Sequence, residues 1–203
     1  MAALLGNDLG YPRPDATART SAVSPLTWPD PLPAAGAIRL RPYRESDLRL
    51  VAELATDPYL PLIGSIPAEY SDEAGRAFLA RQHQRLEDEA GFSFAVARRT
   101  DDLAVGGAGL WLGGAVPGTA SAGYAIAPPY RNAGYATAAL VALTRFAWTR
   151  PELERIDLFV EPDNVASVAV AEHAGYVRLG LRPGHHEIGG RRRDMLHYRS
   201  ARP

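Results

Sequence analysis

The sequence predicts one α/β (α+β) domain that follows a proline-rich segment, on three observations. The chain has 203 residues, of which 46% are hydrophobic and 22% charged, and these are the fractions of an ordinary globular protein. Short apolar runs separated by Gly- and Asp-containing turns occupy residues 92–127. After residue 133 the apolar period becomes that of a helix, and helices then alternate with strands. A chain of this length corresponds to one domain with an appendage or to two very small domains.

The first part of the domain is predicted to supply one strand and two helices. Residues 37–43 alternate apolar and basic side chains, which is typical of a strand. Ser46 is a candidate N-cap for a helix with apolar residues at helical spacing. Residues 57–68 contain three prolines and are predicted to be a loop. Ser71 then begins a polar helix that runs to about residue 86.

Three successive strands are predicted next, over residues 92–98, 103–112 and 120–127. The first two are joined by Asp101-Asp102, and the last two by the glycine-rich stretch 113–118. Such short connections join antiparallel neighbours, so we expect a three-stranded meander.

The rest of the chain is predicted to contain two helices and three strands. Asn164 caps the second helix, and Gly175 supplies its left-handed stop. The elements are a helix over 133–148, a strand over 155–160, a short helix after 164, and strands over 176–182 and 195–199.

Residues 1–36 are predicted to be an extended tail or linker, and residues 37–203 the folded domain. The first segment holds six of the 17 prolines and lacks an apolar period. Trp28 is its one candidate for a hydrophobic contact with the domain. The segment has no basic n-region, so no signal peptide is expected, and no apolar run in the chain is long enough to span a bilayer.

The composition excludes several kinds of chemistry. All 22 basic residues are arginine and cysteine is absent, so the chain can form no lysine Schiff base, disulfide or thiolate metal site. The absence of cysteine agrees with a reducing cytoplasm, and we expect a cytoplasmic protein. The formal net charge is −1, which favours neither nucleic acid nor an anionic membrane as partner. No spaced set of ligands predicts a metal site.

The segment from 127 to 137 carries the strongest functional signal. A strand ends at Pro128-Pro129, the chain turns, and a helix begins close to Gly134. The first N–H groups of a helix have no intrahelical acceptor and carry the positive end of the helix dipole. Because Gly134 has no β-carbon, an anion can approach this backbone, and the segment predicts a diphosphate site. The alternative is that Gly134 only permits close packing of the helix on the strand.

Two motifs in the right order resemble a known family. Arg131-x-x-Gly134-x-Ala136 is similar to the acetyl-CoA signature Q/R-x-x-G-x-G/A of the GNAT N-acetyltransferases. Downstream, the segment 164–167 (Asn-Val-Ala-Ser), followed by Gly-Tyr at 175–176, resembles that family's N-x-x-S…G-F/Y segment. The resemblance covers about residues 37–200.

The details resemble one branch of the family. Serine three residues after the asparagine is typical of the RimJ/RimL-like enzymes, which acetylate the N-termini of ribosomal proteins. The opening Arg39-Leu40-Arg41-Pro42 and Asp47 also look like that branch.

The resemblance implies a fold and a cofactor site. The GNAT fold is a mixed, mostly antiparallel sheet whose fourth and fifth strands splay apart, with about four helices. Acetyl-CoA would bind in this gap and leave as CoA. The implied backbone contacts to its pantetheine arm are Tyr124, Ala125, Ile126 and Ala127. The implied diphosphate contacts are Arg131, Asn132, Ala133, Gly134, Tyr135, Ala136 and Thr137. Asn164 and Ser167 are implied to contact the cofactor as well.

The resemblance also implies catalytic roles. Many members of the family carry a tyrosine seven residues after the asparagine as the acid that protonates the departing thiolate, but here this position is Ala171. Ser167 is therefore the candidate acid, and its alternative role is that of a second capping hydroxyl. Glu161, where the fifth strand ends, is the candidate base, against the alternative of an exposed carboxylate. Asn164 caps the helix and is implied to bind pantetheine or to order a water.

The expected partner is an amine acceptor, either a peptide N-terminus or a small molecule, and the expected state is a monomer or homodimer. A GNAT-like domain that binds acyl-CoA without catalysis is the alternative function, favoured by Ala171. His185-His186 are predicted to be surface residues of a hairpin. Arg191–Arg193 are predicted to form a solvated turn, or to steer an acidic substrate.

Overall fold

One mixed β-sheet runs through the part of the chain that the computed structural model describes, residues 2–3, 25–114 and 116–203. Its strands, in spatial order, are β2-β3-β4-β5-β6-β7-β9-β8, and β1 pairs separately with β6. The strand bounds are β1 Ala2–Ala3, β2 Ala34–Ala35, β3 Ile38–Arg41, β4 Gly91–Arg98, β5 Ala104–Trp111, β6 Thr119–Ile126, β7 Arg155–Val160, β8 Val177–Ile188 and β9 Arg191–Ala201.

Five α-helices cover the two faces of this sheet in the described residues. Their bounds are α1 Leu48–Ala55, α2 Leu60–Ile63, α3 Asp72–Glu87, α4 Tyr135–Ala147 and α5 Val165–His173. On one face α4 packs against β3, β5 and β6, with α5 beside it. On the other face α1 to α3 bury a second apolar cluster against the sheet. The mixed fold and the antiparallel meander β4-β5-β6 are thereby confirmed.

The structure corrects several predicted elements. The predicted loop 57–68 contains α2, a single turn in which Leu60 and Ile63 are buried, and Pro61 is tolerated because it lies at the helix start. The final two strands are longer than predicted, since β8 and β9 form a continuous hairpin. Ser46 does not cap α1; it lies in a 3-10 turn, and Asp47 occupies the N-cap position.

The proline-rich segment contacts the domain through Trp28, as the sequence predicts. Its ring centroid lies 5.4 Å from that of Phe94 and 6.4 Å from that of Phe92, both in edge-on geometry. Residues 1 and 4–24 of the predicted tail, and residue 115 of the predicted glycine-rich connection, lie outside the described residues.

The fourth and fifth strands of the predicted set, β6 and β7, separate as the resemblance implies. They pair in parallel only where Thr119–Ser121 face Arg155–Asp157. Beyond this point β7 continues to pair with β9, while β6 presents its edge to β1, through the pairs Ala2–Ala125 and Ala3–Tyr124. The gap between the strands, which we call the splay, thus contains two residues of the chain's own N-terminal segment.

No helix among the described residues has the length and hydropathy needed to cross a membrane.

Candidate functional site

The N-terminus of α4 is an open cradle of backbone amides. Gly134 is its N-cap, with φ 73° and ψ 1°, and no side chain of the described residues caps the helix. The N–H groups of Tyr135, Ala136 and Thr137 belong to the first turn, so they have no acceptor within the helix. A β-carbon built on Gly134 would meet no atom within 4 Å. The glycine is required by its left-handed backbone, and the space in front of it is free.

A depression of about 270 Å³, open to solvent, surrounds this cradle. Asn132, which also has a positive φ of 65°, lines it, and the exposed Ala133 follows Asn132 in the chain. The residues that line the depression are Ile126, Tyr130, Arg131, Asn132, Gly134, Tyr135, Ala136, Thr137 and Val170. Six of the seven predicted diphosphate contacts therefore border one space, and the seventh, Ala133, lies among them in sequence.

Arg131 is held in place by two groups that the sequence did not link to it. Its Nε donates to the carbonyl oxygen of Ile126 at 3.0 Å, and its guanidinium pairs with Asp57, a residue of the segment just before α2. The side chain is 23% exposed. This contact ties the α2 segment to the turn before α4.

The edge of β6 offers main-chain groups to the splay. The N–H of Ala127 donates to the carbonyl of Val105 on β5 at 3.0 Å. Because main-chain N–H groups alternate along a strand, those of Ile126 and Tyr124 are directed to the opposite edge, toward β7 and β1. These are two of the residues for which backbone contacts to a cofactor are expected.

Asn164 and Ser167 form the first turn of α5 beside this edge. The Asn164 side-chain oxygen accepts from the Ser167 N–H at 3.1 Å, as a helix cap. Ser167 is fully buried, and the Tyr124 hydroxyl donates to its carbonyl oxygen at 3.5 Å. Burial raises the pKa of Tyr124, so its phenol is protonated at neutral pH. The Tyr124 hydroxyl was not singled out from the sequence.

Glu161 lies at the carboxyl end of β7, next to α5. Its side chain is 19% exposed, and Arg193 Nε lies 3.9 Å from its Oε1. Burial raises the pKa of Glu161, the carboxylate of Asp163 adds to the increase, and Arg193 opposes it. The Asn164 N–H donates to the Glu161 carbonyl at 3.0 Å and the Ser167 N–H donates to the Asn164 carbonyl at 2.9 Å, so the three candidate catalytic residues lie on two consecutive turns of the chain.

The prediction that His185 and His186 lie on the surface is wrong for His186, which is 5% exposed. It packs against Phe159 of β7, and the apolar ring contact accounts for the burial. His197 of β9 stacks on the same Phe159, which is its partner in the strand register. The alternation of side-chain direction along β7 and β9 is the sequence signal by which Phe159 and His197 can be assigned to the same face of the sheet. Among the described residues no group of three or more metal-ligating side chains is arranged to hold a metal ion.

Comparisons with known proteins point to one family. Residues 37–177 match the acetyltransferase (GNAT) domain. A curated relative, named Probable N-acetyltransferase YjcK, of Bacillus subtilis (strain 168), is 28% identical over 123 residues, which are 60% of this chain and 67% of that protein.

Solved structures share the fold. Mycobacterium smegmatis RimJ, in complex with CoA-disulfide, aligns with a TM-score of 0.70 and 24% identity over 84% of each chain. The microcin C7 self-immunity acetyltransferase MccE, in complex with acetyl-CoA and AMP, aligns with a TM-score of 0.70 and 18% identity over 82% of this chain and 93% of that chain.

Proposed function

Because the chain belongs to the acetyltransferase (GNAT) domain family, we propose that it transfers the acetyl group of acetyl-CoA to a primary amine in a ternary complex. The observation that carries the proposal is the open helix N-terminus at Gly134, placed beside the separated strands β6 and β7. A diphosphate fits the open helix N-terminus, and an extended chain with amide groups fits the edge of β6 in the splay.

The residues present fit acetyl-CoA. The amides of Tyr135 to Thr137 would hold the diphosphate, with Arg131 and Asn132 lining the depression and Ala133 exposed between Asn132 and Gly134. Tyr124 to Ala127 would supply main-chain contacts to pantetheine along the edge of β6. When bound, acetyl-CoA supplies an acetyl group activated as a thioester. The structures of RimJ in complex with CoA-disulfide and of MccE in complex with acetyl-CoA support this assignment.

The chain's own residues supply the proton transfers. Glu161 accepts a proton from the amine as the new C–N bond forms, a role that its raised pKa favours. Ser167 would donate a proton to the sulfur as the C–S bond breaks and regain one from water after CoA leaves, and Asn164 would position Ser167 through the cap. The Ile126 N–H stabilises the charge that develops on the carbonyl oxygen.

The acceptor enters from the side of α2. Leu60 and Ile63 of α2 belong to the same apolar cluster as Phe159 of β7 and Ile188 of β8. The α2 segment and the β8–β9 hairpin therefore belong to one cluster with Phe159, and Glu161 follows the end of β7. The acceptor is a peptide N-terminus or a small-molecule amine, and residues 37–203 form the acetyltransferase domain.

Two measurements on the full chain test the proposal. CoA should raise the Tm, and acetyl-CoA with a panel of peptide and small-molecule amines should release free thiol. Release with peptides alone or with small amines alone identifies the acceptor class. Stabilisation by CoA without thiol release on any amine would instead support a non-catalytic acyl-CoA sensor. The absence of stabilisation would refute the cofactor site itself.

A further inference from the structure

Three histidine rings surround Phe159, and the proposed mechanism uses none of them. The centroid of the Phe159 ring lies 4.4 Å from that of His185, 5.3 Å from that of His186 and 4.8 Å from that of His197. The rings of His185 and His186 are 4.6 Å apart. We call these four residues the imidazole cluster.

Both ring nitrogens of His186 are buried without a hydrogen-bond partner among the described residues. A buried polar atom without a partner is costly, and in native structures such atoms commonly bind water or a ligand. Stacking on Phe159 explains why a planar ring lies here. It does not explain why the ring carries nitrogens, since phenylalanine would stack equally well.

The imidazole cluster borders the candidate base. Glu161 follows the end of β7, two residues after Phe159, and in an extended chain side chains two residues apart leave on the same side. His186 faces Arg193 in the register of the β8–β9 hairpin, and Arg193 Nε lies 3.9 Å from Glu161 Oε1. The cluster therefore lies along β7, next to the place where the amine must lose its proton.

Burial, helped by the neighbouring charged groups, keeps His186 neutral. Burial lowers the pKa of His186 to about 4, and His185 and Arg192 lower it further. The pKa of His185 is also lowered, by burial and by His197, Arg182 and Arg192, while Asp157 opposes this shift. A neutral imidazole has one nitrogen that donates a hydrogen bond and one that accepts.

A carboxylate anchors the far side of the cluster. Asp157 lies 3.0 Å from His197 Nε2 and accepts two hydrogen bonds from Arg199, at 2.6 and 2.9 Å. These contacts hold His197 against Phe159 and occupy the carboxylate, so Asp157 is not available to His186.

We propose that His186 is an acceptor-binding residue, whose unprotonated ring nitrogen accepts a hydrogen bond from the incoming primary amine beside Glu161. The proposal rests on the proposed function and adds to it the group that orients the amine. The proton still passes from the amine nitrogen to the Glu161 carboxylate, and His186 stays neutral. The positive charges of Arg182 and Arg192 disfavour a charged ammonium group at this place, and this promotes loss of the amine's proton.

Nitrogen NMR of the histidine rings tests this without turnover. The full chain is saturated with CoA and titrated with n-propylamine at constant pH, while long-range proton–nitrogen spectra record each ring. We expect the ring nitrogens of His186 to shift and those of His173, an exposed residue at the end of α5, to stay unchanged. Unchanged His186 signals throughout the titration would overturn the proposal.

Substitution separates binding from packing. His186→Phe retains the ring contact with Phe159 and removes both nitrogens, so the Tm should stay equal or rise and CoA affinity should stay unchanged. The KM of any accepted amine should rise about tenfold with kcat nearly constant, as for the loss of one hydrogen bond.

His186→Gln restores a donor and an acceptor and should recover part of the amine binding, while His173→Phe is the matched control. A lower Tm and lost CoA binding in His186→Phe would show a structural role and overturn the proposal. Failure of the proposed function has a different signature, which is CoA binding without thiol release. In that case the NMR titration still decides whether His186 binds an amine.

Discussion

At the scale of single residues, Gly134 is the position where backbone conformation and binding coincide. Its φ of 73° makes any side chain strained, and the direction of its missing β-carbon is open. A substitution therefore changes the backbone energy and, separately, the electrostatics of the cradle. The two effects can be measured with different side chains.

We expect Gly134→Glu to weaken CoA binding by more than tenfold, because it adds a negative charge where a diphosphate must bind. Gly134→Ala carries a similar left-handed penalty of about 1 kcal/mol without the charge and should bind CoA more tightly than the glutamate variant. Gly175→Ala has the same strain at φ 83° beyond α5 and should leave CoA affinity unchanged. Titration calorimetry measures all three, and equal affinities of the alanine and glutamate variants at 134 would contradict the cradle.

The raised pKa of Glu161 predicts the direction in which kcat/KM changes with pH. Its pKa is raised by burial, and the carboxylate form is the base, so kcat/KM should rise with pH through a pKa higher than that of an exposed glutamate. Glu161→Gln should remove this limb and lower kcat by about 10²–10⁴. Asp163→Asn, at an exposed neighbouring carboxylate, is the control and should retain kcat. A pH profile that keeps its acid limb in Glu161→Gln would assign the base elsewhere.

Ser167 should affect chemistry more than binding. Ser167→Ala removes the candidate proton donor but leaves the Asn164 cap to the backbone N–H, so the fold and CoA affinity should persist. We expect a lower kcat, measured by thiol release. The dissociation constant of CoA, measured by calorimetry, should change little. Full activity would transfer the acid role to another group.

At the scale of elements, the sequence predicted the strands and helix caps that depend only on neighbouring residues. β7 occupies the predicted residues 155–160, and Asn164 caps α5, since alternation and capping are local properties. The turn α2 was missed because Pro61 suggests a loop, whereas burial of Leu60 and Ile63 against distant residues stabilises the helical turn. The burial of His186 and the Asp57–Arg131 pair were missed for the same reason: both depend on contacts between segments far apart in the chain.

The junction of β3 and α1 depends on one buried ion pair. Arg41 donates to both carboxylate oxygens of Asp47 at 2.7 and 2.9 Å, and the two side chains are 2% and 3% exposed. Asp47→Asn should lower the free energy of unfolding by about 3 kcal/mol, because it leaves the Arg41 charge with the partly exposed Asp102 as its remaining partner. Glu69→Gln, at an exposed carboxylate, should change it by less than about 0.5 kcal/mol. Denaturant titration measures both, and equal stabilities would refute the role of the pair.

At the scale of the whole molecule, β1 and the proposed cofactor require the same main-chain groups of β6 in the splay. β1 pairs with β6 at Tyr124 and Ala125, where the pantetheine arm is proposed to bind. The edge of a strand accepts one partner at a time, so residues 2–3 must leave before the cofactor binds.

We therefore expect deletion of residues 1–24 to tighten CoA binding, by the free energy that the paired segment contributes. The deletion retains Trp28 and its contacts with Phe92 and Phe94, so the Tm should fall only by the small amount due to the lost β1 pairing. Deletion of residues 1–33 removes Trp28 as well and should lower the Tm, which separates the two roles of the segment. Unchanged CoA affinity in the shorter deletion would show that β1 does not compete.

The position of β1 also determines how ligand binding will look in a deuterium-exchange footprint. The outward amides of β6 are covered by the chain itself before any cofactor arrives, so their exchange should be slow in both states. The large change should instead occur at residues 2–3, which lose their protection when they are displaced. If only the amides whose exchange becomes slower are interpreted, the ligand is located correctly at α4, but its contact with β6 is missed.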